Sequence, residues 1–253
     1  CIIYLSERVN TKAKIEDSAK QGNWQITDIQ EKDSTRNPAA PFTTSTLQQE
    51  ASRKLGFSVK QTMMIAQQLY EGNFDIPGYS GGLITYMRTD SVNLSQQALK
   101  QAQEVITKEY GKDYALNKPR LYKTKSKGAQ EAHEAIRPVD LSKKPLEVKN
   151  FLDSQQFKLY DLIWKRTLAT QMAQAKLANT TVKITAGKNK ELEFQAKGQQ
   201  IVFPGFMKVY TEGSDDPEAA LDSKEKLLPN LNKDQILDLD KLHLEQCFTK
   251  PPA

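Results

Sequence analysis

The sequence is poor in cysteine, and this excludes several classes of protein. It has two cysteines in 253 residues, Cys1 and Cys247, too few for a disulfide framework or a four-thiolate zinc site. It also lacks a glycine-rich phosphate loop with the Gly-Lys-Ser/Thr ending of nucleotide-binding proteins. The low cysteine content favours a reducing compartment, and we expect the protein to act in the cytoplasm.

Long apolar runs are also absent. Runs such as Met63–Ala66 are far shorter than the ~18–20 residues of a membrane span, so we expect no membrane partner. No basic and then apolar leader opens the chain, which begins with Cys1 rather than Met. We interpret the chain as an internal piece of a longer protein. The alternative is the acylated cysteine of a lipoprotein, which is disfavoured because Ile2–Leu5 has the pattern of a strand.

The sequence does contain a clustered excess of positive charge. Hydrophobic residues make up 38% and charged residues 26%, which is typical of a soluble globular protein of one large or two ordinary domains. The formal net charge is +5, and the basic excess lies in residues 41–180. The segment from Lys118 to Lys127 holds basic residues and no acidic one. Such a segment favours binding to a polyanion, although a solvated loop or helix face has the same composition.

Hydrophobic periodicity predicts strands at the two ends of the chain and helices in the middle. Apolar and polar side chains alternate in residues 23–31, 181–186 and 190–197, as in half-buried strands. Helices are predicted for residues 45–55, 58–71, 95–110 and 154–175. Ser45 and Ser58 each precede a glutamine by three residues, which is the pattern of a capping box.

These elements predict an α+β fold in two domains. A mainly α domain, residues 40–176, is inserted into a discontinuous β-rich domain that residues 1–39 and 177–253 form together. The link between them contains Pro38 and Pro41, and residues before proline avoid the helical region. The first two predicted helices, joined by a short turn, form a helix-turn-helix-like unit.

The segment Gly82–Ser91 is the first candidate for chemistry. We predict a short strand at residues 83–87, so that Tyr86 and Arg88 point to the same side. A guanidinium beside a phenol favours the phenolate, and it can hold a phosphate through two parallel hydrogen bonds. From spacing alone, the favoured interpretation is a tyrosine packed in the core and an arginine paired with Asp90.

The segment Gln130–Pro138 is the second candidate. It is compatible with a helix up to the proline, and a helix would place His133 and Arg137 on one face, as suits phosphate binding. A zinc-protease motif is rejected because Arg137 stands where the second histidine is needed. The alternative interpretation is an ordinary exposed helix in which Glu134 offsets Arg137.

At Leu83–Ser91 the sequence resembles the bacterial topoisomerase I group of type IA DNA topoisomerases. The resemblance extends in order to three further segments, which are Pro41–Gln49, Gln130–Pro138 and Phe248–Pro252. Met87, between the tyrosine and the arginine, looks like the topoisomerase I branch, since the topoisomerase III branch usually has proline there. Four motifs in order make the resemblance specific over roughly residues 36–253.

The resemblance implies a catalytic role for Tyr86 and Arg88. Tyr86 would attack a phosphodiester of single-stranded DNA and form a 5′-phosphotyrosine, and Arg88 would position the phosphate. His133 would contact a neighbouring phosphate as a DNA-binding residue, with Arg137 as a helper. The complete enzyme would relax negatively supercoiled DNA without ATP. The family fold implies a winged-helix-like domain that carries the tyrosine, and a β hinge or arch that opens a gate.

The resemblance also implies partners and a cofactor. The family uses Mg²⁺ held by acidic residues of a Toprim domain, whose acidic clusters this sequence does not contain. We therefore expect no metal ligands in this chain, and no relaxation by the chain alone. The expected partners are single-stranded DNA within negatively supercoiled duplex, in the bacterial nucleoid, and the Toprim and other domains of the same polypeptide.

Two other classes of protein remain open. A helix-turn-helix module could bind DNA without catalysis, with Tyr86 as a structural residue. A tyrosine recombinase also combines tyrosine, arginine and histidine, but it forms a 3′-phosphotyrosine and normally places the tyrosine after the histidine motif, the reverse of the order here. Within the resembled family, action on RNA is also open.

Overall fold

The computed structural model describes residues 4–5, 17–20, 22–123, 133–187, 192–211, 213 and 227–242. The chain divides into two compact units. The first comprises residues 1–34, 177–202 and 224–253, and the second comprises residues 35–176 and 203–223. The motif Phe248–Pro252 lies outside the described residues.

The second unit is mainly helical. Its helices are α1 (Thr44–Leu55), α2 (Val59–Glu71), α3 (Gln96–Tyr110), α4 (Pro145–Val148) and α5 (Ser154–Thr170). Short 3-10 turns lie at Lys112–Tyr114, Lys149–Phe151 and Gly205–Lys208. The long helix predicted at 154–175 ends at Thr170, five residues earlier, and a strand begins at Ala175.

Side-chain caps fix where the helices begin. Ser58 and Ser95 accept hydrogen bonds from backbone N–H groups of the first turns of α2 and α3, which confirms both predicted starts. The prediction for α1 was two residues late. Its cap is Thr43, which forms a reciprocal capping box with Thr46. Gly56 ends α1 in the left-handed region, at φ 69°.

One apolar core holds the helical unit together. Buried side chains of α1, α2 and α5 meet in it, among them Leu47, Ile65, Leu69, Leu159, Ile163 and Leu168. Two large polar rings of α5 that enter this core have hydrogen-bond partners. Tyr160 donates its hydroxyl to the carbonyl of Lys143 at 2.7 Å, and Trp164 donates its indole N–H to Leu141 at 3.0 Å.

A buried polar cluster attaches residues 203–213 to the helices. Glu50 on α1 is 2% exposed and accepts hydrogen bonds from the Tyr210 hydroxyl and the Gly213 N–H, both at 2.7 Å. Arg166 on α5 donates to Tyr210 at 3.3 Å and to the carbonyl of Ala40 at 2.7 Å. These contacts join residues 203–211 and Gly213 to the helical unit, whereas they were predicted to belong to the β-rich domain.

The first unit is built on a sheet of five strands. The strands are β1 (Tyr4–Leu5), β2 (Trp24–Arg36), β3 (Ala175–Ala186), β4 (Leu192–Phe203) and β5 (Ile236–Leu237), in the spatial order β1-β4-β3-β2-β5. β1 runs antiparallel to β4, and β5 runs antiparallel to β2. Helices and an antiparallel sheet in one chain confirm the predicted α+β class.

The apolar core of the sheet lies at one end of the long strands. Trp24, Ile26, Val182 and Phe194 are buried there, and the rings of Trp24 and Phe194 have centroids 4.6 Å apart. These are the inward positions of the alternating patterns at 23–31, 181–186 and 190–197. The period-two pattern therefore identified both the strands and their buried faces.

Candidate active site

Backbone hydrogen bonds on two sides hold the tyrosine segment. The N–H of Leu83 donates to the carbonyl of Leu69 at 2.7 Å, and the carbonyl of Leu83 accepts from Val139 at 3.0 Å. The N–H of Thr85 donates to Arg137 at 2.9 Å. The prediction of a strand at residues 83–87 was wrong. The segment forms a single bridge, between Ile84 and Pro138, because the N–H of Arg137 bonds to the Thr85 hydroxyl at 3.0 Å instead of continuing the ladder.

Tyr86 and Arg88 are presented to the outside on either side of a buried residue. Leu83, Ile84 and Met87 are each 1% exposed, whereas Tyr86 is 46% exposed and Arg88 is exposed. The apolar neighbours thus anchor the segment in the core and leave the phenol and the guanidinium accessible. This exposure excludes the alternative in which Tyr86 packs in the core.

The first residue of α1 holds the backbone around Arg88. Thr44 donates its N–H to the carbonyl of Thr89 at 2.9 Å and its hydroxyl to the carbonyl of Met87 at 2.8 Å. Its hydroxyl oxygen also accepts from the N–H of Thr89 at 2.9 Å. Sequence reasoning missed this role of Thr44. The available signal was a run of hydroxyl residues at the start of a helix within the motif Pro41–Gln49.

In the described part of the histidine segment, residues 133–138, the backbone is not helical, which corrects the prediction. The N–H of Ala135 donates to Asn93 and that of Ile136 donates to Phe42, both at 2.9 Å. Because these backbone groups bond to distant segments, they are not available for a helix. The i, i+4 argument that placed His133 and Arg137 on one face therefore does not apply. His133 is exposed, whereas Arg137 is buried.

The structure brings the tyrosine and histidine segments together. The hydroxyl of Thr85 donates to the carbonyl of Ala135 at 2.7 Å and accepts from the N–H of Arg137 at 3.0 Å. Thr85, which precedes Tyr86, is thereby hydrogen-bonded to Ala135, which lies two residues after His133. Thr85 and Ala135 are fifty positions apart in the sequence, so this side-by-side placement is a product of the fold.

Arg137 is engaged inside the protein. Its guanidinium, in a residue 9% exposed, pairs with Glu134 at 2.5 Å and donates to the carbonyl of Pro138 at 2.8 Å and to the Ser95 hydroxyl at 3.2 Å. The N–H of Ser95 donates to Glu134 in turn. A phosphate ligand must reach solvent, so these contacts favour a positioning role for Arg137 over the expected role as a DNA-binding helper.

The carboxyl of Glu134 is held in its charged form. Burial raises its pKa, but hydrogen bonds from Arg137 and Ser95 more than offset burial, and the net pKa lies below the ordinary value of 4.5. A lowered folded-state pKa stabilises the fold above the ordinary pKa. This stabilisation is lost as pH falls through the folded-state pKa.

We expect Glu134→Gln to lower the free energy of unfolding at pH 7, and this loss to shrink as the pH falls below about 4.5. The measurement is denaturant unfolding of both proteins between pH 3 and pH 7. Glu104→Gln, an exposed position on α3, is the control and should change little at any pH. A deficit of the same size at every pH would contradict the role given to the Glu134 carboxylate.

The basic segment from Lys118 to Lys127 is only partly described. Arg120 turns inward and donates from Nη1 to the carbonyls of Thr170 at 2.7 Å and Met172 at 3.0 Å, at the C-terminal end of α5. Lys118 and Lys123 are exposed, and residues 124–127 lie outside the described part of the chain. Arg120 is thus a structural residue, while the two lysines are accessible to a polyanion.

The described carboxylates of the two segments, those of Asp90 and Glu134, do not form a magnesium site. Mg²⁺ prefers oxygen ligands in octahedral geometry. The tyrosine segment supplies only Asp90, and both oxygens of Glu134 are engaged by Arg137 and Ser95. Among the described residues, no three His, Cys, Asp or Glu side chains are grouped so that they could hold a metal ion. In the same residues, no helix is both long and apolar enough to span a membrane.

Comparison with known proteins gives consistent matches. A family model described as DNA topoisomerase matches residues 4–253. The DNA topoisomerase 1 of Xylella fastidiosa (strain Temecula1) is 48% identical over 234 residues, which are 92% of this chain and 28% of that protein. The DNA topoisomerase 1 of Synechococcus elongatus is 49% identical over 230 residues, 91% of this chain and 25% of its own length.

A solved structure has the same fold. Full-length topoisomerase I from Thermotoga maritima matches with a TM-score of 0.71 and 32% sequence identity, over 92% of this chain and 36% of that chain. The present chain therefore spans about a quarter to a third of the length of these relatives.

Proposed function

The chain belongs to the type IA DNA topoisomerase family, and we propose that the complete protein relaxes negatively supercoiled DNA through a transient single-strand break at Tyr86. The observation that carries the proposal is the exposure of Tyr86 and Arg88 on a segment whose backbone is fixed on both sides. A nucleophile held on a fixed backbone loses little freedom when it meets a phosphodiester.

Tyr86 is the nucleophile in this proposal. Its phenolic oxygen forms a bond to phosphorus as the phenol gives up its proton, and the bond from phosphorus to the 3′ oxygen breaks. The released 3′ oxygen takes a proton and becomes a free hydroxyl, while the 5′-phosphate stays on Tyr86. One phosphate ester replaces another, so the reverse reaction reseals the strand without ATP.

Arg88 orients the phosphate and stabilises its charge. Its guanidinium lies two residues from Tyr86 on the exposed side of the same segment, and Thr44 fixes the backbone on both sides of it. A planar guanidinium can donate two parallel hydrogen bonds to phosphate oxygens, which favours the charge that develops during transfer.

His133 binds the DNA strand next to the scissile phosphate. It is exposed, and its segment is joined to the tyrosine segment through Thr85. Arg137 supports this arrangement from inside, through Glu134 and Ser95. Exposed lysines such as Lys118 and Lys123 add attraction to the phosphate backbone that does not depend on sequence.

The sheet unit, residues 1–34, 177–202 and 224–253, acts as the hinge that lets the helical unit with Tyr86 move during strand passage. Its long strands suit this role, because the ends of β2 and β4 far from Trp24 carry mostly half-exposed or exposed side chains. In the cell the complete protein acts in the cytoplasm, on nucleoid DNA.

Relaxation needs the complete polypeptide. Magnesium is expected to be held by a Toprim domain of that polypeptide, because the residues of the present site do not form a ligand set for it.

We expect the complete protein with Mg²⁺ to relax plasmid DNA on an agarose gel, and residues 1–253 alone not to relax it. The chain alone should still bind single-stranded DNA weakly, with an affinity that falls as salt rises. Relaxation by the purified chain alone would contradict this division of the active site.

A further inference from the structure

Tyr70 lies directly against the proposed nucleophile. It is the penultimate residue of α2, and its ring meets the ring of Tyr86 with centroids 5.3 Å apart and an angle of 66° between the planes. Edge-to-face packing at this separation is a favourable geometry for two aromatic rings. Both residues remain accessible, Tyr70 at 40% and Tyr86 at 46%, so the pair lies at the surface rather than in the core.

The backbone holds the two rings at this distance. The end of α2 and the start of the tyrosine segment touch backbone to backbone. A Cβ atom at Gly82 would overlap the carbonyl oxygen of Tyr70, and a Cβ atom at Gly72 would overlap the backbone of Gly81. The hydrogen bond from the N–H of Leu83 to the carbonyl of Leu69 lies in the same contact. Glycines at these positions permit an approach that any side chain would prevent.

We propose that Tyr70 is a positioning residue for Tyr86, and that its ring restricts the rotation of the phenol so that the phenolic oxygen faces the scissile phosphate. This proposal rests on the proposed function of Tyr86. A half-exposed tyrosine side chain would otherwise sample several rotamers, and few of them would point the oxygen correctly. Reducing that freedom before DNA binds raises the rate of attack without a change in affinity.

The ring of Tyr70, and not its hydroxyl, makes the contact. The contact is between the two aromatic rings, and no bond is made or broken at Tyr70 in the proposed reaction. Tyr70→Phe therefore preserves the positioning contact, whereas Tyr70→Leu keeps an apolar side chain of moderate size and removes it. Tyr110, at the end of α3, offers a matched control because it also pairs with a tyrosine ring, that of Tyr114, at 6.3 Å.

The test uses the complete enzyme and a single-stranded oligonucleotide. We expect Tyr70→Leu to slow single-turnover formation of the covalent adduct about tenfold, with an unchanged dissociation constant for the oligonucleotide. Tyr70→Phe and the control Tyr110→Leu should each cleave within about twofold of the wild type. Wild-type cleavage by Tyr70→Leu would overturn the proposal, and so would an equal loss in Tyr70→Leu and Tyr70→Phe.

A second readout does not depend on cleavage. With 3-fluorotyrosine incorporated at position 86, the fluorine resonance reports the ring of its neighbour. We expect Tyr70→Leu to shift this resonance and Tyr70→Phe to leave it nearly in place. An unchanged resonance in Tyr70→Leu would overturn the contact itself. If the wild-type enzyme formed no adduct at Tyr86, the proposed function would fail, and with it the positioning role, while a shifted resonance would still establish the contact.

Discussion

Tyr86→Phe in the complete enzyme should abolish both plasmid relaxation and the covalent adduct with DNA. The substitution removes one hydroxyl and keeps the ring that packs against Tyr70. The fold and the affinity for single-stranded DNA should therefore remain close to those of the wild type. Loss of a sole nucleophile reduces turnover by at least ~1,000-fold, which places relaxation below detection on a gel.

The neighbouring tyrosine gives this experiment a matched control. Tyr70→Phe removes the same hydroxyl group from a ring 5.3 Å away, and we expect it to retain relaxation. Thermal unfolding and oligonucleotide binding of both variants would establish that neither is misfolded. An adduct that survives in Tyr86→Phe would remove Tyr86 from the chemistry.

Arg88 should give the second largest effect, and the size of the loss should depend on what replaces it. Arg88→Lys keeps the positive charge but loses the planar pair of donors, so the phosphate is less well aligned. We expect cleavage to slow roughly 100-fold, which is typical of a small misplacement of a reacting group. Arg88→Ala also removes the charge and should slow cleavage by roughly 1,000-fold.

Single-turnover cleavage and oligonucleotide affinity, measured on the same proteins, separate chemistry from binding. The loss should fall mainly on the cleavage rate, with a small change in the dissociation constant. Arg53→Lys, at an exposed position on α1, is the control and should cleave at the wild-type rate. Two results would contradict the role proposed for Arg88. One is wild-type cleavage by Arg88→Ala, and the other is a loss that lies entirely in affinity.

Short-range sequence patterns predicted those helices and strands whose starts and buried faces depend on neighbouring residues. The serine cap at Ser58 predicted the start of α2, and alternation predicted the buried faces of β3 and β4. The α+β class followed from the separation of these patterns along the chain. The resemblance carried by Leu83–Ser91 indicated the family that the comparisons then established.

The candidate site could be predicted only in part, because distant segments build it. The segment around His133 has the composition of a helix, but its backbone groups bond to Phe42 and Asn93. Arg137 looked like a phosphate ligand because its pairing with Ser95, a residue 42 positions away, cannot be read from spacing. The contacts of Thr44 with Met87, and of Tyr70 with Tyr86, are equally non-local.

The polarity of the covalent link tests the central claim most directly. The complete enzyme would be incubated with one single-stranded oligonucleotide labelled at its 5′ end and, in parallel, with the same strand labelled at its 3′ end. After rapid denaturation, the protein would be assayed for label. A 5′-phosphotyrosine at Tyr86 retains the downstream piece, so label should stay on the protein from the 3′-labelled strand alone, and Tyr86→Phe should retain none. Label retained from the 5′-labelled strand instead would indicate a 3′-phosphotyrosine, as in tyrosine recombinases, and would contradict the proposed mechanism.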